Sequence, residues 1–389
     1  MEFTVIKSEI DAPLKALCAV AMRGKTSTPM LTHLLVDADP GGQVRITAAN
    51  HETQLQERFN AQVLRSGRIT IPAAKLRDIC ASIDDDSTSL RFRLEDSKVM
   101  LRAGKSRFTL QTLAAESFPN VEVDHYRLVR EIDAGELHDV LTRVTPGIAN
   151  NDMRHYLNGA LFEFRSETLT VVGSDGHRLH LDRVACAGIE SSAYSLPGAL
   201  TSSDLAQAEG QCIISRDCVN ALMRQLRGCR EGRRAVIALA ETHFEIHAGG
   251  SRLVTKVIEG EYPNYQRIIP AADAKQYHIE FERDAMRAAL QRIRILANEK
   301  YHGGKLTFAH NRVTVESSNT NMEDAKEDLE VNYRGESLTM GFNVNYLLDV
   351  LSVIDTSTVT LAAADPNQAA LLQPEGRHES SFVVMPMRL

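Results

Sequence analysis

The chain has 389 residues, of which 43% are hydrophobic and 24% charged, a mixture typical of globular proteins. This length predicts two or three domains and the composition excludes extensive disorder. Lysine and arginine total 44 against 51 aspartate and glutamate, and the net charge of −7 by itself argues against a nucleic-acid-binding protein. A total does not say where the charges lie, however, so their placement along the chain decides the question.

The cysteines and the N-terminus favour a reduced, soluble, cytoplasmic protein. No Cys-x-x-Cys pair occurs, and several cysteines fall on apolar positions of helix-like segments, where a thiol packs as a small hydrophobe. Neither a secretory signal nor an apolar run long enough to span a bilayer is recognisable. We expect no membrane partner, no cofactor and no metal site, since the histidines are scattered. The cysteines are Cys18, Cys80, Cys186, Cys212, Cys218 and Cys229.

A strand followed by an amphipathic helix recurs three times, starting at Phe3, Arg130 and Ile279. The three copies align without a gap, and their apolar residues recur at the i, i+4, i+7 spacing of one helix face. The pattern predicts three equivalent helices that bury this face. The equivalent apolar positions are Val5, Ile132 and Phe281; Ile10, Leu137 and Met286; Leu14, Leu141 and Leu290; and Leu17, Val144 and Ile293.

A second strand and helix recur in the same way, starting at Ile69, Cys212 and Met340. Segments of alternating apolar and polar residues lie between the two helices of each copy and predict antiparallel hairpins. The helix again buries one apolar stripe. Its aligned positions are Ile71, Ile214 and Phe342; Leu76, Val219 and Leu347; Ile79, Leu222 and Val350; and Ile83, Leu226 and Ile354.

The chain is therefore predicted to contain three copies of one α+β domain, at residues 1–125, 127–266 and 267–389. Solenoid repeats, the alternative, are typically ~20–50 residues long, which is less than half of this unit. The middle copy carries extra residues at 186–210, rich in Ser, Ala and Gly, which predict a surface loop.

Six short motifs occur in order along the chain: RHYLNG from Arg154, SDGHRL from Ser174, EYPNY from Glu261, ILANEK from Ile295, GFNVNYLLDVL from Gly341 and VVMPMRL from Val383. Together they resemble one family, the bacterial DNA polymerase III beta subunit, or sliding clamp, along the whole chain. The resemblance implies three clamp domains per chain and a head-to-tail homodimer that closes a six-domain ring around double-stranded DNA. It implies a non-catalytic processivity factor that tethers the replicative DNA polymerase.

A ring that slides on DNA needs sequence-independent contacts with phosphates, made by basic residues on its lining helices. Basic residues are frequent on the predicted helices, among them Arg23, Arg143 and Arg224, although an ordinary solvated helix face carries them too. The resemblance adds Lys25, Asn151 and Arg216 as DNA-facing residues. Lys25 stands where the family usually has Arg, which keeps the charge and loses the bidentate fork.

Ring closure and partner binding are assigned by the resemblance. For the dimer interface it implies Ile295 and Leu296 against Phe108 and Leu110 of the partner subunit; ordinary core packing of Ile295 is the alternative. A peptide pocket beside the apolar C-terminus would receive the polymerase, the clamp loader and other proteins with a clamp-binding motif. Ser174 replaces the usual Thr in this pocket. Its residues are Leu157, Ser174, Gly176, His177, Arg178, Leu179, Pro263, Arg267, Ile268, Val383, Val384, Met385, Pro386, Met387, Arg388 and Leu389.

Two other functions are compatible with the sequence. A specialised second clamp for repair polymerases would share every motif above. A hydrolase would use Ser174, Asp175 and His177, but neighbouring strand residues point to opposite faces, which disfavours a nucleophile–base–orienter chain. The sequence contains no GxSxG elbow, P-loop or HExxH motif, which also disfavours an enzyme.

Overall fold

A computed structural model describes residues 1–24, 26–123, 125–188, 208–227, 232–270 and 276–388. Lys25, Leu389 and most of the predicted loop at 186–210 lie outside the described residues. The described helices are α1 Lys7–Val20, α2 Ala73–Ala81, α3 Ala134–Val144, α4 Arg216–Leu226, α5 Arg283–Ile293 and α6 Val344–Val353.

Strands make up most of the remaining regular structure, which gives the predicted α+β class. The first thirteen are β1 Glu2–Ile6, β2 His33–Ala38, β3 Gln43–Ala49, β4 Thr53–Asn60, β5 Gln62–Arg65, β6 Gly67–Pro72, β7 Ser89–Glu95, β8 Lys98–Ala103, β9 Ser106–Gln111, β10 Leu128–Asp133, β11 Gly159–Arg165, β12 Thr168–Ser174 and β13 Arg178–Gly188. The others are β14 Gly210–Ser215, β15 Arg234–Leu239, β16 His243–Ala248, β17 Ser251–Lys256, β18 Tyr277–Glu282, β19 Gly303–Ala309, β20 Arg312–Ser318, β21 Asp324–Glu330, β22 Leu338–Asn343, β23 Thr358–Ala363, β24 Ala370–Pro374 and β25 Ser381–Val384.

The predicted strand-to-helix recurrence is confirmed at all six places. Strands β1, β10 and β18 run directly into α1, α3 and α5, and strands β6, β14 and β22 run into α2, α4 and α6. Each helix follows its strand without a connecting loop, so the side chain that ends the strand and the first helical turn are fixed together. The recurrence of this unit is the physical basis of the threefold repeat.

The helical stripes are buried as predicted, with two exceptions, both at the end of α2. All twelve apolar positions of the first set of helices are buried. In the second set, Ile79, in the last turn of α2, and Ile83, which lies beyond the end of α2 at Ala81, are only half-buried. Cys80, 1% exposed, occupies the buried position at the end of α2.

The chain divides into two compact units. The first comprises residues Met1–Gly135, Cys186–Ala208 and Asn220–Val257. It contains a sheet ordered β5-β1-β7-β8-β9 and a ladder ordered β10-β15-β16-β17-β4-β3-β2-β6. Strand β17 of the second repeat pairs with β4 of the first, with Leu253 opposite Leu55.

The second unit comprises Glu136–Ala185, Glu209–Val219 and Ile258–Leu389. Its larger ladder runs β14-β11-β12-β13-β25-β24-β23-β18, and its smaller sheet runs β21-β20-β19-β22. Strand β13 of the second repeat pairs with β25, the last strand of the third. The core of the third repeat packs α5 and α6 against one face of the smaller sheet, with Leu290, Leu306 and Val315 in one cluster.

Five cysteines lie among the described residues, and all five are buried and unbridged. Burial raises the pKa of the Cys18 thiol to about 11 and that of the Cys80 thiol to about 12. Both thiols therefore stay protonated and unreactive near neutral pH. No described helix has the length and apolar character needed to cross a membrane.

Candidate functional site

The predicted pocket is centred on the pairing of β13 with β25, whose register places Leu179 opposite Val383 and Arg178 opposite Val384. Leu179 and Val383 are buried and pack in one cluster with Leu157, which a short helical turn at His155–Asn158 supplies. The structure therefore brings together three predicted residues from distant parts of the sequence. Val384 faces the other way, into the core of the third repeat.

The SDGHRL motif forms a tight turn between β12 and β13. The Ser174 hydroxyl donates to the Arg178 carbonyl at 2.8 Å, and Asp175 Oδ1 accepts from the backbone N–H groups of His177 at 2.9 Å and Arg178 at 3.0 Å. Gly176 has a φ of +87°, and a Cβ on it would lie 2.8 Å from the Arg154 guanidinium. The positive φ therefore favours glycine here, whereas the Arg154 guanidinium, at the end of a flexible side chain, could move to admit a Cβ.

The hydrogen bonds of this turn contradict the hydrolase hypothesis. The Ser174 hydroxyl and the Asp175 carboxylate are occupied by the hydrogen bonds that shape the turn. The His177 ring instead lies parallel to the Tyr346 ring, with 6.4 Å between the centroids. Nucleophile, base and orienting acid are therefore not joined in the order that nucleophilic catalysis requires.

Arg178 is held rigidly at the edge of the pocket. Its Nε donates to Asp175 Oδ2 at 3.0 Å, and its Nη1 donates to Asp349 Oδ2 at 2.5 Å. The guanidinium carbon lies 4.4 Å from the centroid of the Tyr346 ring, a cation–π arrangement. Tyr346 and Asp349, both on α6, were missed by the sequence analysis, because only the fold brings α6 beside residue 178.

The end of the chain is fixed by backbone hydrogen bonds. The Met385 N–H donates to the His177 carbonyl at 2.9 Å, and the Met387 N–H donates to the Gly341 carbonyl at 2.8 Å. Pro386, between them, is half-buried and has no N–H to donate. Met385 remains 42% exposed, so an apolar side chain is held at the surface by an ordered backbone.

The residues 263–268 supply another part of the surface in this unit. Pro263 and Arg267 are exposed, and Ile268 is 38% exposed. The short helical turn Tyr265–Arg267 is anchored by Tyr265, whose hydroxyl donates to Glu163 Oε2 at 2.5 Å. Tyr262 and Tyr265, which no sequence pattern marked as site residues, are members of the Leu179–Val383 cluster.

The candidate DNA-binding residues differ in how available they are. Arg23 and Arg224 are exposed, and Asn151 is exposed with a φ of +58°. Arg216 is half-buried, and its Nη1 donates to the Ile148 carbonyl. Arg143, expected on a free helix face, is instead paired with Asp182, whose side chain is 1% exposed.

Several other basic residues on the helices or directly after them remain available. Within the described ranges, no ion pair involves the exposed residues Lys15, Lys75, Arg227 and Arg294. Arg283, Arg287 and Arg292 are compensated by Asp284 or Glu327. The basic residues of the helices thus divide into a compensated group and an available group.

The four candidate interface residues also differ in their exposure to solvent. Ile295 is 78% exposed, an unusual environment for a large apolar side chain. Leu296 and Phe108 are half-buried, whereas Leu110 is 6% exposed and packs within its own chain. The described residues hold no cluster of three or more His, Cys, Asp or Glu side chains that could bind a metal ion.

Comparison with solved structures defines the class of protein, which is the DNA sliding clamp. A sliding clamp from Pseudomonas aeruginosa bound to griselimycin matches with a TM-score of 0.90 and 33% identity, over 100% of both chains. A beta sliding clamp from C. crescentus, with PEG bound to a putative beta-motif tethering region, matches with a TM-score of 0.86 and 27% identity over 100% of this chain and 99% of that one.

Sequence comparison narrows the class to one family. The model of the DNA polymerase III beta subunit N-terminal domain matches residues 1–122, and that of its C-terminal domain matches residues 266–388. The beta sliding clamps of Pseudomonas putida and Escherichia coli K12 are 36% and 30% identical over the full length of both chains. The chain belongs to the bacterial DNA polymerase III beta subunit family: it is a non-catalytic sliding clamp and a processivity factor.

Proposed function

We propose that two chains associate head to tail into a six-domain ring that encloses double-stranded DNA and presents the β13–β25 pocket to the replicative polymerase. The observation that carries this proposal is the ordered C-terminus, which holds Met385 exposed beside the buried Leu179–Val383 cluster. An apolar, pre-formed site at a chain end suits a short peptide with apolar anchors. Methionine suits a site that accepts several partners.

The available basic residues support a lining that attracts DNA. Arg23, Arg224 and the unpaired helical lysines would meet phosphates through charge alone, which permits sliding because no base is read. The chain as a whole has a net charge of −7, which discourages adhesion of the rest of the surface to DNA. Sequence-independent binding and an acidic total are thus compatible.

Two sheet edges support the proposed dimer. Strand β9 ends the strand order of one sheet and β21 ends that of another, and edge strands are ready surfaces for pairing with a second chain. Strand β21 carries four acidic residues and one lysine, whereas the hairpin that contains β9 carries Lys105 and Arg107. Charge complementarity would therefore orient β9 of one chain against β21 of the other, with Ile295 adding apolar contact.

The remaining assignments are part of the same proposal. The pocket would serve the clamp loader and other proteins with a clamp-binding motif in turn, and the ring would act in the cytoplasm. The domain boundaries at residues 1–125, 127–266 and 267–389 follow the sequence repeat. The family model of the N-terminal domain ends at residue 122, and that of the C-terminal domain begins at residue 266. These limits support the proposed end of the first domain and the proposed start of the third.

The enclosure is tested by loading the protein with a clamp loader onto nicked circular and linear DNA of equal length. After a high-salt wash, which removes electrostatic binding, the protein should remain on the circle and leave the linear molecule through its ends. Equal loss from both substrates would contradict topological enclosure.

The pocket is tested by deleting residues 387–389 and measuring polymerase binding by surface plasmon resonance. Binding should be lost while the dimer mass in sedimentation equilibrium is unchanged. Substitution Met322→Ser, at a residue that is 92% exposed on the β20–β21 turn, is a matched control because it removes a surface methionine outside the pocket. Unchanged polymerase binding in the deletion variant would refute the assignment.

A further inference from the structure

A second concave site lies in the third repeat, on the face of the β21-β20-β19-β22 sheet that the helices do not cover. Leu306 and Val315 point into the core with α5 and α6, so Lys305 and Glu316, one residue away on the same strands, point to the opposite face. The cavity on that face has a volume of about 670 Å³. This is within the usual range of ligand-binding pockets, ~300–1,000 Å³.

A row of charges crosses the floor of this cavity. Lys305 lies directly opposite Glu316, which lies directly opposite Lys326 on the next strand. The ammonium groups lie 3.0 and 3.2 Å from the Glu316 carboxylate. The hydrogen bond from Lys305, followed by that from Lys326, lowers the pKa of Glu316. The single carboxylate of Glu316 neutralises only one of the two ammonium groups, so this row of three side chains keeps one net positive charge.

The rim of the cavity adds both charge and apolar surface. Arg388 contributes another positive charge, and Asp324 offsets one. Tyr301 is 55% exposed, with Lys300 Nζ 5.0 Å from its ring centroid. On the floor of the cavity, the Gly303 carbonyl accepts a hydrogen bond from the Ser317 hydroxyl at 2.8 Å. The cavity thus offers an aromatic ring beside a surplus of positive charge.

The position of the tail indicates what occupies this cavity. Met387 and Arg388 line it, and the same two residues belong to the proposed peptide pocket. The Met387 N–H is fixed to the Gly341 carbonyl at 2.8 Å, so the tail is an ordered wall between the two sites. A peptide that leaves the first site across this wall enters the second.

We propose that the cavity binds the flank of a partner's clamp-binding peptide, and that it selects a flank in which acidic residues adjoin an aromatic or aliphatic one. This inference rests on the proposed function of the first pocket. The carboxylates of the flank bind Lys305, Lys326 and Arg388, and the apolar residue packs on Tyr301 and Met387. The cavity would thereby rank partners that share the same apolar anchors.

The experiment uses the full-length dimer and two synthetic peptides. Both carry the clamp-binding segment of the replicative polymerase; one ends after its apolar anchors, and the other continues with Asp-Glu-Phe-Glu-Asp. Affinities are measured by fluorescence polarisation for the wild type, for the variant K305Q/K326Q, and for K98Q/K256Q, a control that removes two exposed lysines of the first unit, at the start of β8 and the end of β17.

In the wild type and the control variant, the extension should raise the affinity about threefold to tenfold, the effect of a few exposed charge contacts with some apolar burial. In K305Q/K326Q this gain should largely disappear, while the short peptide binds as before. An equal gain in all three proteins, or no gain in the wild type, would overturn the inference and leave the first pocket intact. Failure of both peptides to bind the wild type would overturn the proposed function and this inference with it.

Discussion

Leu179 and Val383 lie opposite each other on β13 and β25, 204 residues apart in the chain and both fully enclosed. This pair joins the second repeat to the last strand of the third within one antiparallel ladder. The wall of the proposed peptide pocket is therefore also part of a hydrophobic core. Changes here should affect folding and partner binding together.

The substitution Leu179→Ala should lower the free energy of unfolding by about 2–5 kcal/mol, because it leaves a cavity in a close-packed cluster. It should also weaken polymerase binding, since Val383 loses its opposite neighbour. Thermal unfolding and surface plasmon resonance measure the two effects. Full polymerase affinity in a destabilised variant would show that Leu179 serves the core alone.

The substitution Asp182→Asn should destabilise the protein by about 3–5 kcal/mol, since it leaves the mostly buried Arg143 charge uncompensated. Ser380, whose hydroxyl donates to Asp182 Oδ1 at 2.9 Å, depends on the same carboxylate. The matched control is Glu327→Gln in the exposed Arg292–Glu327 pair, with an expected effect below about 1 kcal/mol. Urea unfolding measures both variants, and equal midpoints would contradict a special role for the buried pair.

His180 should make the protein acid-sensitive. Burial lowers the pKa of its imidazole from 6.5 to about 4 in the folded chain, where the Nδ1–H of the neutral ring donates to the Arg143 carbonyl at 2.8 Å. The unfolded chain therefore binds this proton first as the pH falls. The contribution of neutral His180 is complete above about pH 6.5 and is lost progressively toward pH 4, on the order of 3 kcal/mol. Thermal unfolding from pH 7 to pH 4.5 should show a shallower decline for His180→Gln, and an identical decline would count against this origin.

Arg224→Ala should reduce the salt dependence of DNA binding. Each phosphate contact that is lost lowers the slope of log affinity against log salt by about 0.9. Arg292→Ala is the control, because Glu327 already compensates this helical arginine. Fluorescence anisotropy with a fluorescent duplex over a salt series gives the slope for each variant. An equal decrease in slope for both variants would show that the ion pair with Glu327 does not keep Arg292 from contacting DNA.

Ile295→Asp should dissociate the proposed dimer. A charge at a residue that is 78% exposed costs little in the isolated chain but much in an apolar interface. Sedimentation equilibrium should give half the wild-type mass while circular dichroism is unchanged. A dimer that persists at micromolar concentration would remove Ile295 from the interface.

The repeat and its helices could be predicted because each depends on local periodicity. Leu14, Leu141 and Leu290 occupy equivalent buried positions, and spacing alone identified them. The end of α2 was less predictable: the stripe continues to Ile83, but the helix stops at Ala81. Apolar spacing does not specify where the backbone leaves the helix.

The polar contacts of the site could not be predicted, because they join residues that only the fold brings together. Arg143 looks like a solvated helical cation until Asp182 is placed against it, 39 positions along the chain. Arg178 likewise finds Tyr346 and Asp349 on α6. Pairing decides whether a basic residue is available to DNA, and sequence spacing carries no information about pairing over such distances.

The buried thiols make the protein suitable for fluorescent labelling at a single introduced cysteine. Cys18 and Cys80 are enclosed and remain protonated, and Cys186, Cys212 and Cys218 are buried as well. A maleimide dye needs an accessible thiolate, so it should pass over these five residues. With Cys229 replaced by serine, a single cysteine introduced on the exposed β20–β21 turn should carry one dye per chain, which would let individual clamps be followed as they move along DNA.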